Sequence, residues 1–190
     1  YPLSTILFTT LPEDDENLRR EGIPPSRIRR VGNLMADTLR MNRARALAAA
    51  PAPKGPFALA TLHRPGNVDD PRRLSRLLEG LGRVSRQLPI LFPIHPRLAP
   101  RLRRLPPGIL RTGPLGYLAF QGALGRARLV LTDSGGVQHE AALWGTPCLT
   151  LRDSTEWNFT TRQGANRLVK ADPAAIERAA LRAMRQPRRR

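Results

Sequence analysis

The sequence is poor in cysteine, with Cys148 as the single example in 190 residues. One cysteine excludes a disulfide within the chain, which fits a reducing compartment such as the cytoplasm. Cys148 lies in an apolar run from 147 to 151, so we expect it in the core. The chain is long enough to bury the core of one domain, or of one domain plus part of another.

Long apolar runs are also lacking, because no stretch approaches the roughly 18–20 residues that a membrane-spanning helix needs. Residues 1–4 (Tyr-Pro-Leu-Ser) do not carry the basic start that is typical of a signal peptide. We therefore expect a cytoplasmic protein that does not contact a membrane.

Acidic residues and lysine are scarce, whereas arginine is abundant. Lys and Arg number 32 against 15 Asp and Glu, the net charge is +17, and Lys54 and Lys170 are the only lysines. Such a charge would suit a nucleic-acid partner. The arginines are scattered rather than clustered, so we expect no nucleic-acid partner and keep a basic nucleic-acid-binding protein as the second alternative. Arg188–Arg190 are expected to belong to a frayed tail.

Short apolar runs alternate with amphipathic segments along the chain. They predict strands at 6–10, 28–31, 57–62, 90–94, 109–111, 129–132, 147–151 and 167–169, with Pro93 indicating a strand end or a sheet edge. Helices are predicted at 13–21, 35–47, 98–105, 117–124, 137–144 and 173–184, and from Pro71 onward after an N-cap at Asp70. Three prolines predict a loop at 48–56. This alternation predicts an α/β fold, a parallel sheet with helices on both faces.

The most informative stretch runs from Leu129 to Glu140 (LVLTDSGGVQHE). It predicts a buried strand, a glycine turn and a helix start, whose unpaired N–H groups and dipole favour an anion. Gly135 and Gly136 would let a ligand approach the backbone. Glu140 would reach back toward that ligand and suits a diol such as ribose, because a carboxylate repels phosphate. The pattern predicts a nucleotide site, or alternatively a helix that Ser134 merely caps beside a solvated Glu140.

Polar residues follow four predicted strands at the point where each strand ends. They are His63 and Arg64, then His95, then Asp133 and Ser134, then Arg152 and Asp153. In open parallel sheets, ligands bind beyond the carboxyl ends of the strands. His63 would donate to a phosphate, and Arg64 or Arg152 would neutralise one. We therefore expect one rim of side chains beside the anion-binding turn.

Other site chemistries have weaker signals. No spacing of His, Cys, Asp and Glu matches a known metal site, so neither a metal nor another cofactor is expected. Ser134 is not expected to be a nucleophile, because it precedes its glycines and no G-x-S-x-G turn is present. His139 is expected to be exposed and structural.

Five motifs together resemble the non-hydrolysing UDP-N-acetylglucosamine 2-epimerases. They are Thr61–Asp70 (TLHRPGNVDD), Pro93–Arg97 (PIHPR), Pro114–Phe120 (PLGYLAF), Thr132–Glu140 (TDSGGVQHE) and Pro147–Glu156 (PCLTLRDSTE). They occur in the order and spacing of that family, and residues 17–22 and 31–33 fit the same pattern. The resemblance extends from Ser4 to Met184.

The resemblance implies the GT-B arrangement, in which two Rossmann-like domains face each other across a cleft. Residues 1–30 would be the trailing part of the first domain, 31–185 the UDP-binding domain and 186–190 a basic tail. The implied substrate contacts are His63 near the phosphates, Leu115 and Phe120 beside the uracil, Ser134, Gly135 and Gly136 at the diphosphate, and Glu140 at the ribose. Arg152 or Arg162 would compensate for Trp157, which stands where many members have an arginine. Arg64 and His95 would lie near a second UDP-sugar that acts as an activator.

The reaction implied by the resemblance is the inversion of C2 in UDP-GlcNAc to give UDP-ManNAc, by elimination and re-addition of UDP. In the family, the carboxylates that act as acid and base come from the first domain. No catalytic residue is therefore assigned here, the isolated chain is expected to be inactive, and the full-length protein is expected to be a homodimer. A GT-B glycosyltransferase that uses a UDP-sugar is the first alternative, which the motifs around His63 and at 133–140 disfavour.

Overall fold

The computed structural model describes residues 3–50, 53, 55–102 and 104–186, and the chain divides into two compact units, Tyr1–Met41 and Asn42–Arg190. The strands are β1 (Leu7–Thr9), β2 (Ile28–Arg30), β3 (Ala58–Thr61), β4 (Ile90–Pro93), β5 (Ile109–Thr112), β6 (Leu129–Thr132), β7 (Cys148–Thr150) and β8 (Asn166–Leu168). The helices are α1 (Pro12–Arg20), α2 (Leu34–Ala49), α3 (Pro65–Val68), α4 (Pro71–Ser85), α5 (Tyr117–Arg126), α6 (Gly135–Trp144), α7 (Asn158–Arg162) and α8 (Pro173–Arg185).

The first unit is built around β1, α1 and β2, and its two strands pair in parallel. Two acidic residues of α1, Asp14 and Asp15, hold the segment that connects the two strands in place. Asp14 accepts hydrogen bonds from the backbone N–H groups of Thr10 (3.1 Å) and Leu11 (2.9 Å), and therefore satisfies donors at the start of the helix. The buried Asp15 accepts from the Thr9 hydroxyl and lies 3.5 Å from the Arg30 guanidinium.

The second unit contains a six-stranded sheet in the order β5-β4-β3-β6-β7-β8, and every neighbouring pair of strands is parallel. The chain starts in the middle at β3, moves outward to β5, and then returns to the other side of β3 and moves outward to β8. The strand order therefore reverses between β3 and β6, which is where open α/β sheets bind ligands. The predicted α/β fold with a parallel sheet is confirmed.

Both faces of this sheet are buried. Alternate strand residues point to opposite faces, and one face packs into a core with α4 and α8 that includes Ala60, Phe92, Leu131, Leu77, Leu81 and Ile176. On the other face the fully buried Leu59 and Val130 are accompanied by Ala123, Leu124 and Ala141 of α5 and α6. Each fully buried leucine stabilises the fold by roughly 1.5–3 kcal/mol.

Most predicted elements are present, with some differences at prolines. The helix predicted at 98–105 is wrong, because among its described residues only a 3-10 turn forms, Ala99–Arg101, around Pro100. Pro93 is the last residue of β4, which pairs on both sides, so Pro93 marks a strand end and not an edge. The short helices α3 and α7 were not predicted. Residues 51, 52 and 54 of the predicted loop and 187–190 of the predicted tail lie outside the described residues.

Candidate functional site

Four neighbouring strands bring the predicted polar residues to one edge of the sheet. His95, His63, Ser134 and Arg152 follow β4, β3, β6 and β7, which are adjacent in that order. The imidazole rings of His63 and His95 have centroids 5.4 Å apart. The rim predicted from the sequence therefore exists, and the point where the strand order reverses lies in its middle.

Asp133 connects the two strand ends at this point. Its carboxylate is fully buried and accepts hydrogen bonds from the backbone N–H of His63 (3.1 Å) and of Arg64 (3.0 Å). Burial alone would raise the pKa of Asp133, but hydrogen bonds from the His63 side chain and from these two N–H groups lower it below its ordinary value. The His63 Nδ1 atom lies 3.1 Å from Asp133 Oδ1, so this carboxylate holds the imidazole ring, which lines a cavity at the rim.

Asn67 is a further member of this network that the sequence analysis missed. It is buried in α3, and its amide donates to Asp133 (3.2 Å) and to the carbonyl of Leu151 (2.9 Å). Its oxygen accepts from Arg73 Nε at 2.7 Å. Asn67 thus ties the segment after β3 to the ends of β6 and β7. Its signals in the sequence were its position three residues after Arg64 and its place in the Thr61–Asp70 motif.

The N-terminus of α6 opens onto the same edge. Ser134 is the N-cap, and its hydroxyl lies 3.5 Å from the Val137 N–H that it accepts. Gly135 is buried and Gly136 is half-buried. A Cβ added to Gly135 would overlap the Glu156 carboxylate and lie 2.9 Å from Trp157 Nε1. Close approach therefore favours glycine here, and Ser134 is the N-cap of α6 directly before it.

Glu156 joins two arginines of the rim. Its carboxylate oxygens lie 3.0 Å from Arg64 Nη2 and 2.8 Å from Arg152 Nη1. Partial burial would raise the pKa of Glu156, but a backbone hydrogen bond and the charges of Arg152 and Arg64 lower it. The two arginines that were expected to meet a phosphate therefore already hold an anion.

Two cavities lie along this rim. One of about 210 Å³ is lined by Thr61, Leu62, His63, Pro93, Ile94, His95, Pro96, Pro114, Leu115, Phe120, Ser134 and Val137. The other, of about 280 Å³, is lined by Arg64, Gly66, Asn67, Arg73, Arg152, Asp153 and Ser154. The first is mostly apolar and has a few polar side chains, among them His63, His95 and Ser134, as small-molecule sites do. A larger cavity of about 400 Å³, around Arg83 and Pro106, contains none of the predicted site residues.

Glu140 is placed differently from the rest of the predicted set. It is 8 % exposed and does not line either rim cavity. Burial raises its pKa, with the Gln121 side chain acting in the opposite direction, and the Glu140 charge together with burial raises the pKa of Tyr117. The alternative of a solvated Glu140 is therefore wrong, because this carboxylate lies inside the protein beside α5.

The expectation that His139 is exposed is also wrong. His139 is 7 % exposed, and its ring stacks on Trp157 with centroids 4.9 Å apart and planes 1° apart. Phe159 contacts the same ring edge-on at 5.6 Å. Burial lowers the pKa of His139, which favours the neutral ring. The two aromatic rings that cover His139 belong to residues 18 and 20 positions later in the sequence. The local helical pattern around His139 therefore could not indicate its burial.

Neither a metal-ligand cluster nor a helix able to cross a membrane occurs among the described residues. No group of three or more His, Cys, Asp and Glu side chains among them is arranged to hold a metal ion. In the same part of the chain, no helix combines the length and the apolar character that crossing a membrane requires.

Comparison with known proteins identifies relatives along nearly the whole chain. A sequence profile described as UDP-N-acetylglucosamine 2-epimerase matches residues 2–190. The chain is 41 % identical over 175 residues to the UDP-2,3-diacetamido-2,3-dideoxy-D-glucuronate 2-epimerase of Pseudomonas aeruginosa, covering 89 % of this chain and 49 % of that protein. It is 37 % identical over 185 residues to the UDP-N-acetylglucosamine 2-epimerase of Methanocaldococcus jannaschii, covering 88 % and 50 %.

The fold is similar to that of a solved relative. The crystal structure of the Methanocaldococcus jannaschii enzyme in complex with UDP-GlcNAc and UDP matches with a TM-score of 0.87 and 34 % identity, over 98 % of this chain and 56 % of that chain. This likeness confirms the expected Rossmann-like half of a GT-B type protein. The chain spans about half the length of the curated relatives it matches. By the profile that covers residues 2–190, the chain belongs to the UDP-N-acetylglucosamine 2-epimerase family.

Proposed function

We propose that this chain is the UDP-holding part of a UDP-N-acetylglucosamine 2-epimerase. The observation that carries the proposal is the junction between β3 and β6. There the glycine at the start of α6 faces an anion, the Glu156 carboxylate, that Arg64 and Arg152 also contact. A helix N-terminus with two arginines is suited to a diphosphate, because both supply donors and positive charge to phosphate oxygens.

Different rim residues would bind the different parts of UDP, because the diphosphate and the uracil need different kinds of contact. The diphosphate would contact the backbone at Ser134, Gly135 and Gly136. His63 would donate to it from Nε2 in the imidazolium form, in which both ring nitrogens are donors. The half-buried Leu115 and Phe120 line the apolar cavity and would contact the uracil.

Glu140 would accept hydrogen bonds from the ribose hydroxyls. Its burial supports this role, since a buried carboxylate is stabilised by a partner that donates to it. It lies behind the anion-binding turn on the same helix, six residues into α6 counting Gly135 as the first.

The role of this part in the reaction is to bind the leaving group. Inversion at C2 by elimination requires UDP to depart with its bonding electrons and later to return. Donors fixed at the diphosphate stabilise the charge that develops on it. The acid and base that act at C2 would come from a part of the full-length protein that this chain does not contain, and no cofactor is needed for these steps.

The substrate is a UDP-linked 2-acetamido sugar. The names of the two relatives share UDP and epimerisation at C2 but differ in the sugar, a diacetamido glucuronate in one and N-acetylglucosamine in the other. The solved relative was crystallised with UDP-GlcNAc and UDP. UDP-GlcNAc is therefore the substrate proposed for this chain, with the UDP part as the shared element.

The proposal includes further features that rest on the family resemblance. Residues 1–30 would be the trailing part of the first domain and 31–185 the UDP-binding domain, in a homodimer of the full-length protein in the cytoplasm. Arg64 and His95 would lie near an activating UDP-sugar.

A substitution at Glu140 tests whether the site holds a nucleotide rather than any anion. Glu140→Gln should weaken UDP binding by about 1–3 kcal/mol, the size of a lost hydrogen bond to a charged group. The affinity for inorganic pyrophosphate should not change, because pyrophosphate has no ribose. Calorimetric or NMR titrations of both ligands measure this.

Glu79→Gln is the matched control, since it removes the same charge from a glutamate that pairs with Arg83 on α4. It should leave both affinities unchanged. Equal losses of UDP and pyrophosphate binding in Glu140→Gln would mean that Glu140 supports the fold of the site. An unchanged UDP affinity would exclude the ribose contact.

A further inference from the structure

Glu156 has no role in the proposed binding of UDP, yet it lies at the centre of the rim. Its side chain is 47 % exposed, and its carboxylate contacts the start of α6 at Gly135. It pairs with Arg64 and Arg152, one partner for each oxygen. A carboxylate in this position makes the same kinds of contact as a phosphate would, with a helix N-terminus and with arginine donors.

The segment around Glu156 is anchored on both sides. The Thr155 hydroxyl donates to Gln138 on α6 at 2.6 Å, and Trp157 stacks on His139 of the same helix. The backbone is therefore held against α6, whereas the Glu156 side chain alone reaches into the rim. A rotation of this side chain is sufficient to empty or fill the position beside Gly135.

A ligand phosphate and the Glu156 carboxylate cannot occupy that position together. Even a methyl group on Gly135 would overlap the carboxylate, and a phosphate group is larger. The two anions would also repel each other at a separation of a few ångströms in a partly desolvated site.

We propose that Glu156 is an internal competitor for the phosphate site. In the free protein its carboxylate holds Arg64 and Arg152, and on binding the two arginines exchange this partner for the diphosphate while the Glu156 side chain turns out to solvent. The proposal rests on the proposed function for the identity of the ligand, but not for the competition between anions. It predicts that the free protein is held below its full affinity for phosphates.

The test is Glu156→Gln, titrated with pyrophosphate, UDP and uridine. The amide keeps the size of the side chain but no longer binds the two arginines as an anion. The dissociation constants of pyrophosphate and UDP should fall about three- to tenfold, the order expected for releasing two partly exposed ion pairs. The uridine affinity should not change, because uridine has no phosphate.

Glu177→Gln is the matched control, because Glu177 also pairs with an arginine, Arg83, at 3.6 Å, and lies on α8. It raises the net charge by the same amount and should change the pyrophosphate affinity less than twofold. Equal tightening in both variants would reduce the effect to overall charge and overturn the proposal. Unchanged or weaker pyrophosphate binding in Glu156→Gln alone would also overturn it, since Glu156 would then not compete.

The titrations with pyrophosphate and UDP distinguish the competition by Glu156 from the proposed nucleotide function. Tighter pyrophosphate binding without any UDP preference would support the competition and overturn the nucleotide function. A UDP preference over pyrophosphate, with the affinity for each ligand unchanged between wild type and Glu156→Gln, would support the nucleotide function and overturn the competition.

Discussion

At the scale of single residues, Asp133 determines how the rim is held. One buried carboxylate receives the backbone N–H groups of His63 and Arg64, the Asn67 amide and the His63 ring. These donors come from the segment after β3, whereas Asp133 follows β6. The orientation of the His63 ring therefore depends on a residue about 70 positions away in the sequence.

Asp133→Asn should lower the free energy of unfolding at neutral pH by about 1–3 kcal/mol, because the new amide group faces N–H donors and leaves some of them unpaired. The folded-state pKa of Asp133 lies below its ordinary value of 3.8. Its ionised form therefore contributes stability that is fully present above that value and is lost as the pH falls through the lower folded-state pKa. The difference between wild type and variant should consequently shrink as the pH falls below 3.8.

Urea denaturation across this pH range measures the effect. Asp153→Asn is the control, since the Asp153 side chain is 61 % exposed and pairs with Arg73 on the surface. A loss of stability that is equal for the two variants, or that does not diminish at acid pH, would contradict the account of Asp133.

The residues that the sequence predicted and those that it missed differ in how far apart in the sequence their defining contacts lie. His63, His95, Ser134 and Arg152 were predicted because each follows its own strand, which is a local property. The roles of Asn67 and Glu156 depend on contacts between segments 66 to 92 residues apart. His139 was mispredicted for the same reason, because Trp157 and Phe159 cover it from a later segment.

At the scale of elements, the start of α6 combines a structural role with the proposed binding role. Ser134 caps the helix, and the Ser134 N–H donates to the Thr132 hydroxyl at 3.0 Å. Gly135 has no positive φ, so the glycine is not required by the turn itself. A Cβ at this position would instead overlap the Glu156 carboxylate and lie 2.9 Å from Trp157 Nε1, so close approach favours glycine.

Gly135→Val should abolish UDP binding while the fold remains, because a branched side chain occupies the position of the phosphate. Gly113→Val is the control, since an added Cβ at Gly113 meets nothing within 4 Å. Circular dichroism establishes folding, and titration with UDP gives the affinity. Near-normal UDP affinity in a folded Gly135→Val variant would exclude the start of α6 as the phosphate site.

The elements themselves could largely be predicted, because apolar runs of three to six residues and amphipathic helices alternate regularly in the second unit. The predicted N-cap at Asp70 is confirmed, as its carboxylate accepts from the N–H groups of Arg72 (2.9 Å) and Arg73 (3.3 Å). The prediction of a helix at 98–105 failed because Pro100 has no backbone N–H to donate within a helix. The spacing of the leucines alone does not reveal this.

At the scale of the whole molecule, the order of the strands in the sheet determines where the candidate site lies. Because the chain reverses direction across the sheet between β3 and β6, the motifs that follow these two strands meet even though 70 residues separate them. The parallel sheet could be predicted from the alternation of elements, but the strand order required the structure. Half the length of the curated relatives has no counterpart in this chain, so binding of the leaving group and chemistry at C2 are proposed to be separable.

The most direct measurement is NMR of the purified chain incubated with UDP-GlcNAc. Saturation transfer from protein to ligand should appear on the uracil and ribose protons, which the rim would hold, and be weaker on the sugar. Because only the proposed UDP-binding part of the protein would contact the ligand, we expect a dissociation constant nearer millimolar than micromolar, about 4 rather than 8 kcal/mol. No UDP-ManNAc should form over days, because the base that acts at C2 is proposed to lie outside this chain. Absence of transfer to the uridine part, or enzyme-dependent UDP-ManNAc, would contradict the account.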